Sequence, residues 1–344
     1  MHGSLLTAIL WSAIPAILLM AAIYYLDRYE KEPVRLIGIA LVAGAVVAPI
    51  ATAWIEKAFG VPNSLGSQAF FFIGAENANQ PIIEEIVRGL VLVAVFFLVR
   101  YEIDDLLDGL VYGGMVGVGF GLAANFWTVW ATPPIAGGLS NHSLFSTIVA
   151  SFNWVFYGGV IGLCLAAARR ASLARVVSMA VLGTGIAMGF HLLHDFLPTW
   201  VAASANHVQT SGLAKFLGDL PNVLGLVALA AIAVWTTGRE KVIVARELQD
   251  EVTSGVVGPD EYKAITNPGR RFGSLASAMG KGMSTWRLRR RLYVLEVELA
   301  FRKHHDKSDR TTPAQLATPE EYRRQIAETR GAMGGGATVA EPAS

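Results

Sequence analysis

Seven apolar runs of membrane length occupy the first two-thirds of the chain, at residues 5–26, 36–58, 70–99, 106–130, 144–168, 173–197 and 213–236. A helix needs about 20 such residues to cross the hydrocarbon core. The pattern therefore predicts an all-α polytopic membrane protein with about seven spans. The third run opens on Gly74-Ala75-Glu76-Asn77-Ala78-Asn79-Gln80-Pro81, too polar for a lipid-facing helix, and reads as a re-entrant or broken stretch. The first run has no Lys or Arg before it and exceeds a signal-peptide core, so it reads as a retained helix.

Beyond Thr237 the pattern changes. Charge rises, apolar runs become too short to span, and a helical C-terminal region in the cytoplasm is expected over residues 237–310. Asp260 and Glu261 suit the start of a short helix after Gly255–Gly258. Residues 286–303 are helical by pattern, with Leu292, Leu295 and Leu299 among Arg287, Arg289, Arg290, Arg291 and Arg302. Two readings stand there: a helical hairpin packed on itself, or a basic amphipathic helix on an anionic leaflet. Glu296 and Glu298 interrupt the basic run and argue against nucleic acid as a partner. From Thr311 to Ser344, Pro, Gly, Ala and Thr dominate, and disorder is expected. The organisation is thus 1–236 membrane domain, 237–310 charged helical region, 311–344 tail.

Composition agrees. Hydrophobic residues make up 53% and charged residues 16%, with mean hydropathy +0.45, against about 25% charged in soluble domains. Lys and Arg cluster after spans one, three and five (Arg28, Lys31, Arg35; Arg100; Arg169, Arg170, Arg175). With an odd number of spans this puts the N-terminus outside and the C-terminus in the cytoplasm of an integral plasma (inner) membrane protein. Cys164 is the single cysteine, which excludes an intrachain disulfide and a thiolate metal cluster.

The chemistry lies in the polar residues inside the runs. Glu84, Glu85 and Arg88 sit within an apolar stretch, where each charge costs about 2.5–3.5 kcal/mol at bilayer depth. Glu84 and Arg88 are spaced i,i+4 while Glu85 points roughly 100° away. The spacing predicts that Glu84 pairs with Arg88 and leaves Glu85 as a base; a buried ion pair ordering the bundle is the plainer alternative. Span four carries Asp108 at its start, Gly109, Gly113, Gly114, Gly117, Gly119 and Gly121 along it, and Asn125 near its outer end, and small residues at that density should let it pack centrally. In His191-Leu192-Leu193-His194-Asp195, the i,i+3 and i,i+4 spacings let all three polar side chains crowd one sector. Imidazole and carboxylate there suit a divalent ion such as Zn²⁺, a proton-transfer pair, or a structural hydrogen bond.

Four segments in register resemble the PrsW family of bacterial intramembrane proteases, related to the CAAX prenyl proteases. They are Asp27-Arg28-Tyr29-Glu30-Lys31-Glu32-Pro33, Glu84-Glu85-Ile86-Val87-Arg88, Asp108-Gly109-Leu110-Val111-Tyr112-Gly113 with Gly119-Phe120, and His191-Leu192-Leu193-His194-Asp195-Phe196. The resemblance covers roughly residues 5–236. It implies peptide hydrolysis within the membrane on a membrane-protein or peptide substrate. Glu84 and Glu85 would activate water, and His191 and Asp195, with Glu85, would hold a metal or orient that water. Arg88, Asn125 and Asp108 would support the site.

The chain departs from that pattern twice. Ala124 stands where the family has a glutamate ahead of Asn125, and Ala150 where it has a histidine at the start of span five. Either His142 reaches the site as a ligand, or Asn153 substitutes, or the ligand is gone. An inactive PrsW-like scaffold or binding protein is therefore the alternative to the peptidase. A transporter or channel ranks below both, since paired broken helices in an inverted repeat are not seen.

Overall fold

The computed structural model describes residues 4–29, 31–59, 75–131, 144–204, 211–307 and 317–333. His142 and Gly74 lie outside them. Every regular element described is helical, and the chain divides at Thr236/Thr237 into two units, with Tyr29–Lys31 counted in the second.

The first unit holds α1 (Leu5–Leu26), α2 (Val34–Val42), a π-helical turn (Ala43–Val47), α3 (Ala48–Ala58), α4 (Ala75–Val99), α5 (Leu106–Ala131), α6 (Leu144–Ala167), α7 (Leu173–Ser204) and the start of α8 (Ser211–Glu247). Among the described residues, six stretches are long and apolar enough to cross a membrane: Leu5–Leu26, Val34–Ala58, Leu106–Ala131, Ser146–Ala167, Leu173–Pro198 and Phe216–Thr253. The remaining expected span, α4, is membrane-length but carries Glu84, Glu85 and Arg88 in its apolar stretch. The expected break before Pro81 is not seen from Ala75 onward: α4 is helical through the proline.

α5 is the central helix, with 78% of its apolar window buried against 61% or less for the others. Glycine explains this. A Cβ at Gly109, Gly113 or Gly117 would strike the backbone carbonyls of Gly162, Gly158 or Trp154 on α6. Small residues spaced by four thus let the two backbones touch. On another side, Gly44 in the π turn meets the Val116 carbonyl. At its far end α5 is tied to α6 by Asn125, whose Nδ2 donates to Ser151 Oγ at 2.7 Å and to the Thr147 carbonyl at 3.4 Å.

The second unit holds the end of α8, then α9 (Gln249–Thr253), α10 (Pro259–Ile265), α11 (Pro268–Gly280), α12 (Met283–Lys307) and α13 (Pro319–Ala332). Glu261 starts α10 by accepting from the Gly258 amide at 2.7 Å. Val244, Leu248, Ile265, Tyr293, Val297 and Phe301 form the core. The expectation of a disordered tail from Thr311 fails over α13. Thr318 and Glu321 cap each other's amides at 3.3 and 2.8 Å. Tyr322 and Ile326 then pack on Leu292, Leu295 and Leu299. Composition concealed a short amphipathic helix between polar flanks.

Candidate active site in the membrane unit

Four helices build the site. α4 supplies Glu84, Glu85 and Arg88, α7 supplies His191 and Asp195, and α5 and α6 supply Phe120, Trp154 and Tyr157. Arg88 is fully buried and pairs with Glu85, three residues back, rather than with Glu84 as the spacing suggested. Positions i,i+3 and i,i+4 lie equally within reach on a helix, and the aromatic surroundings decide between them. The Arg88 guanidinium lies over Phe120 at 4.3 Å and within 5.0 Å of the Trp154 ring and 5.7 Å of the Tyr157 ring. This cation–π cage holds it on the Glu85 side.

Glu85 also receives His191: Nδ1 lies 2.8 Å from Oε1. A carboxylate oxygen can only accept, so Nδ1 carries the proton, and in the neutral tautomer Nε2 presents a lone pair on the opposite edge. That edge faces Glu84 Oε2 and Asp195 Oδ2, each at 3.9 Å. The ring is held from two sides, by Tyr157 stacked at 4.8 Å and 20° and by Trp154 edge-on at 5.3 Å. The Tyr157 hydroxyl accepts from Asn222 Nδ2 at 2.7 Å, so α8 fixes the ring that fixes His191.

Glu84 is placed differently. Its Oε1 accepts from Gln80 Nε2 at 3.2 Å, and its buried Oε2 makes no hydrogen bond. The carboxylate lines a cavity of about 70 Å³ with Pro49, Thr52, Gln80, Phe120, Ala124, Thr128 and Trp154. Thr52 Oγ1 and Trp154 Nε1 are likewise buried without hydrogen-bond partners. A water needs about 10–15 Å³ of such space and two to four polar partners. The cavity exceeds the volume several-fold, and Glu84 Oε2, Thr52 Oγ1 and Trp154 Nε1 supply three polar partners.

The other expected residues fall elsewhere. Asp108 lies twelve residues before Phe120 on α5, about 18 Å along the axis, where its Oδ2 accepts from the Asp104 and Asp105 amides at 2.6 and 2.8 Å. Asn125 bonds to α6, and its neighbour Ala124 faces the cavity. His194 does not join His191: it turns to α8, with Nδ1 3.3 Å from Asp219 Oδ1, an oxygen that Asn153 also approaches at 3.4 Å. Residues 191, 194 and 195 straddle the helix too widely for one point. Sequence reasoning missed Trp154, Tyr157, Asn222, Gln80 and Thr52. The aromatic pair at 154 and 157, ahead of the Gly158/Gly162 contact surface, was the available signal.

Three atoms could hold a cation: His191 Nε2, Glu84 Oε2 and Asp195 Oδ2. A ring nitrogen and two carboxylate oxygens, one buried on Glu84 and one part-exposed on Asp195, can attract a positive charge, and the Glu85–His191 bond is a contact usual behind a ligating histidine. Neighbouring ligand atoms around tetrahedral Zn²⁺, at bonds of 2.0–2.1 Å, stand about 3.3 Å apart. The spacings here are about half an ångström wider, and among the described residues no three His, Cys, Asp or Glu are closed around one point. The donor set fits in kind, in a more open arrangement.

Comparison with known proteins returns one finding. No curated protein and no solved structure matches the chain. A family model does, over residues 32–235, a stretch that runs from the loop before α2 almost to the end of the membrane unit and contains every residue of the site just described. The chain belongs to the family that model describes, the PrsW family of intramembrane metalloproteases.

Proposed function

We propose that this chain is an intramembrane endopeptidase in which Glu84 is the general base and Glu85 positions His191. The observation that carries the reading is the Oε2 of Glu84, buried without a hydrogen bond on a cavity roomy enough for water and 3.9 Å from His191 Nε2. A water there can hydrogen-bond to Glu84 Oε2, Thr52 Oγ1 and a neighbouring water. Glu84 takes its proton as the oxygen attacks the scissile carbonyl, then returns a proton to the leaving amide nitrogen. Trp154 Nε1, a donor aimed into a site of low dielectric, suits the oxyanion that forms. His191 and Asp195 would hold a divalent ion such as Zn²⁺, which when bound supplies Lewis-acid polarisation of water or carbonyl. Substrates are membrane-protein segments, in keeping with a family of intramembrane proteases and a site built from membrane-length helices. The Lys/Arg asymmetry supports an outer N-terminus and a cytoplasmic C-terminal unit.

The test is cleavage of a transmembrane peptide by purified protein in lipid, comparing wild type, Glu84→Gln and His191→Ala, with metal content measured on each. Loss of cleavage in Glu84→Gln without loss of thermal stability supports the reading; unchanged cleavage ends it. A second reading, a family member that binds substrates without cutting them, is favoured by one observation: Ala124 lines the cavity where the family has a carboxylate. An inactive wild type that gains cleavage as Ala124→Glu would establish it.

A further inference from the structure

We propose that the α11–α12 hairpin of the second unit is a docking surface for an anionic lipid bilayer. Residues 268–291 carry seven Lys and Arg and no Asp or Glu. Elsewhere in this unit several cations are paired with carboxylates: Lys303 with Asp250 and Glu251, Lys307 with Glu247, Arg323 with Glu251, Arg330 with Glu261. Arg270, Lys281, Arg287 and Arg291 make no ion pair among the described residues. A run of cations with no carboxylate among them, in a unit whose remaining sequence is slightly acidic, is a surface that an anion from outside would meet.

The apolar side chains say which anion. Phe272 is 76% exposed, Met279 51% and Met283 52%, all large residues set among those cations. On α11, Phe272, Ala276 and Met279 recur at i, i+4 and i+7 and so form one stripe. Apolar side chains that enter the acyl boundary, beside cations that meet headgroup phosphates, are the two components of interfacial binding. A nucleic acid would use the cations and leave the stripe in water. A second copy of the hairpin would use the stripe and set two like-charged surfaces against each other. The chain also arrives in this unit directly from a membrane-spanning helix, so a bilayer is always at hand.

The test uses the full chain in lipid nanodiscs, with Cys164→Ala removing the native thiol and Ala276→Cys carrying a fluorophore on the stripe. Brominated lipids report contact. Quenching at 276 in discs of phosphatidylcholine with phosphatidylglycerol is expected to exceed that at a control label, Glu328→Cys, by about twofold or more. It should fall to the control value in pure phosphatidylcholine, and after Arg270, Lys281, Arg287 and Arg291 are all changed to Glu. Phe272→Ser should reduce it in part. Equal quenching at 276 and 328 in anionic discs overturns the proposal. So does quenching that survives the four charge reversals, or binding of a labelled RNA or DNA duplex with no quenching by lipid.

Discussion

Two buried carboxylates, one in each unit, are built from similar parts and finish in opposite states. Glu251 in the second unit is nearly inaccessible, and Lys303 and Arg323 saturate it at 2.8 and 2.7 Å. Glu84 in the membrane unit is equally buried, yet receives a single amide bond and keeps one oxygen unpartnered on a cavity. The neighbouring Arg88 is spent on Glu85. An interior anion left short of donors is costly unless something else meets it. The contrast separates a carboxylate tied into structure from one that the proposed mechanism uses, and burial alone would not distinguish them.

The largest effect should come from breaking the available member. Glu84→Gln is expected to lower cleavage of a membrane substrate by about 10²–10⁴-fold, the usual worth of a general base, with an unchanged melting temperature. Glu251→Gln should do the reverse, leaving the rate per folded molecule intact. A matched loss of activity in both would erase the distinction.

Next in size is the Glu85–Arg88 pair. Arg88→Met strands a buried carboxylate and should destabilise the membrane unit by about 3–5 kcal/mol, read as resistance to unfolding in mild detergent. Adding Glu85→Gln should recover much of that loss without restoring activity, because His191 loses its anionic partner. A double variant no more stable than the single would show that the aromatic cage, not the charge pairing, holds the site.

A smaller effect is expected at the far end of the His191 support. Asn222→Ala leaves the Tyr157 hydroxyl without its donor, and the rate constant should drop by roughly tenfold with KM little changed, as for a misplaced catalytic group. Tyr157→Phe keeps the stacked ring and should be the milder of the two single changes.

The smallest effect is a pH dependence in the second unit. Burial first, and then the Glu261 charge, pushes the Glu296 carboxyl well above its usual range, despite Arg330 at 3.7 Å. A carboxyl whose folded value is raised contributes stability that is present below the unfolded value, near 4.5, and lost as pH rises toward the folded one. Glu296→Gln, which imitates the protonated form, should therefore raise the melting temperature at pH 8 and leave it unchanged near pH 4. Equal shifts at both pH values would refute the assignment.

Much of this site was legible in the sequence because charge inside an apolar run is rare. Glu84, Glu85, Arg88, His191 and Asp195 announce themselves, and helical periodicity brings Arg88 within reach of both glutamates and Asp195 onto the side of His191. The allocation of partners was not legible. Whether Arg88 takes Glu84 or Glu85 depends on Phe120 and Trp154, which arrive from α5 and α6. The i,i+4 rule had no view of those helices. His194 shows the same limit in reverse, since Asp219 on α8 claims it. α13 escaped notice for another reason: its apolar face is too short to stand out until α12 supplies the opposite surface.

The π turn at Ala43–Val47 has a bearing on how such a site could arise. The buried stripe here advances by fours, through Ala40, Gly44, Ala48, Thr52 and Glu56. In an unbroken α-helix, sixteen residues would carry the last of these about 160° round from the first, onto the opposite face. A π turn holds one extra residue and takes back about 100°. Thr52 therefore meets the cavity where a plain helix would point it outward. In ancestry, one inserted codon can convert a lipid-facing position into a lining one, and deleting it would withdraw the hydroxyl from the cavity without changing any of the charged residues beside it.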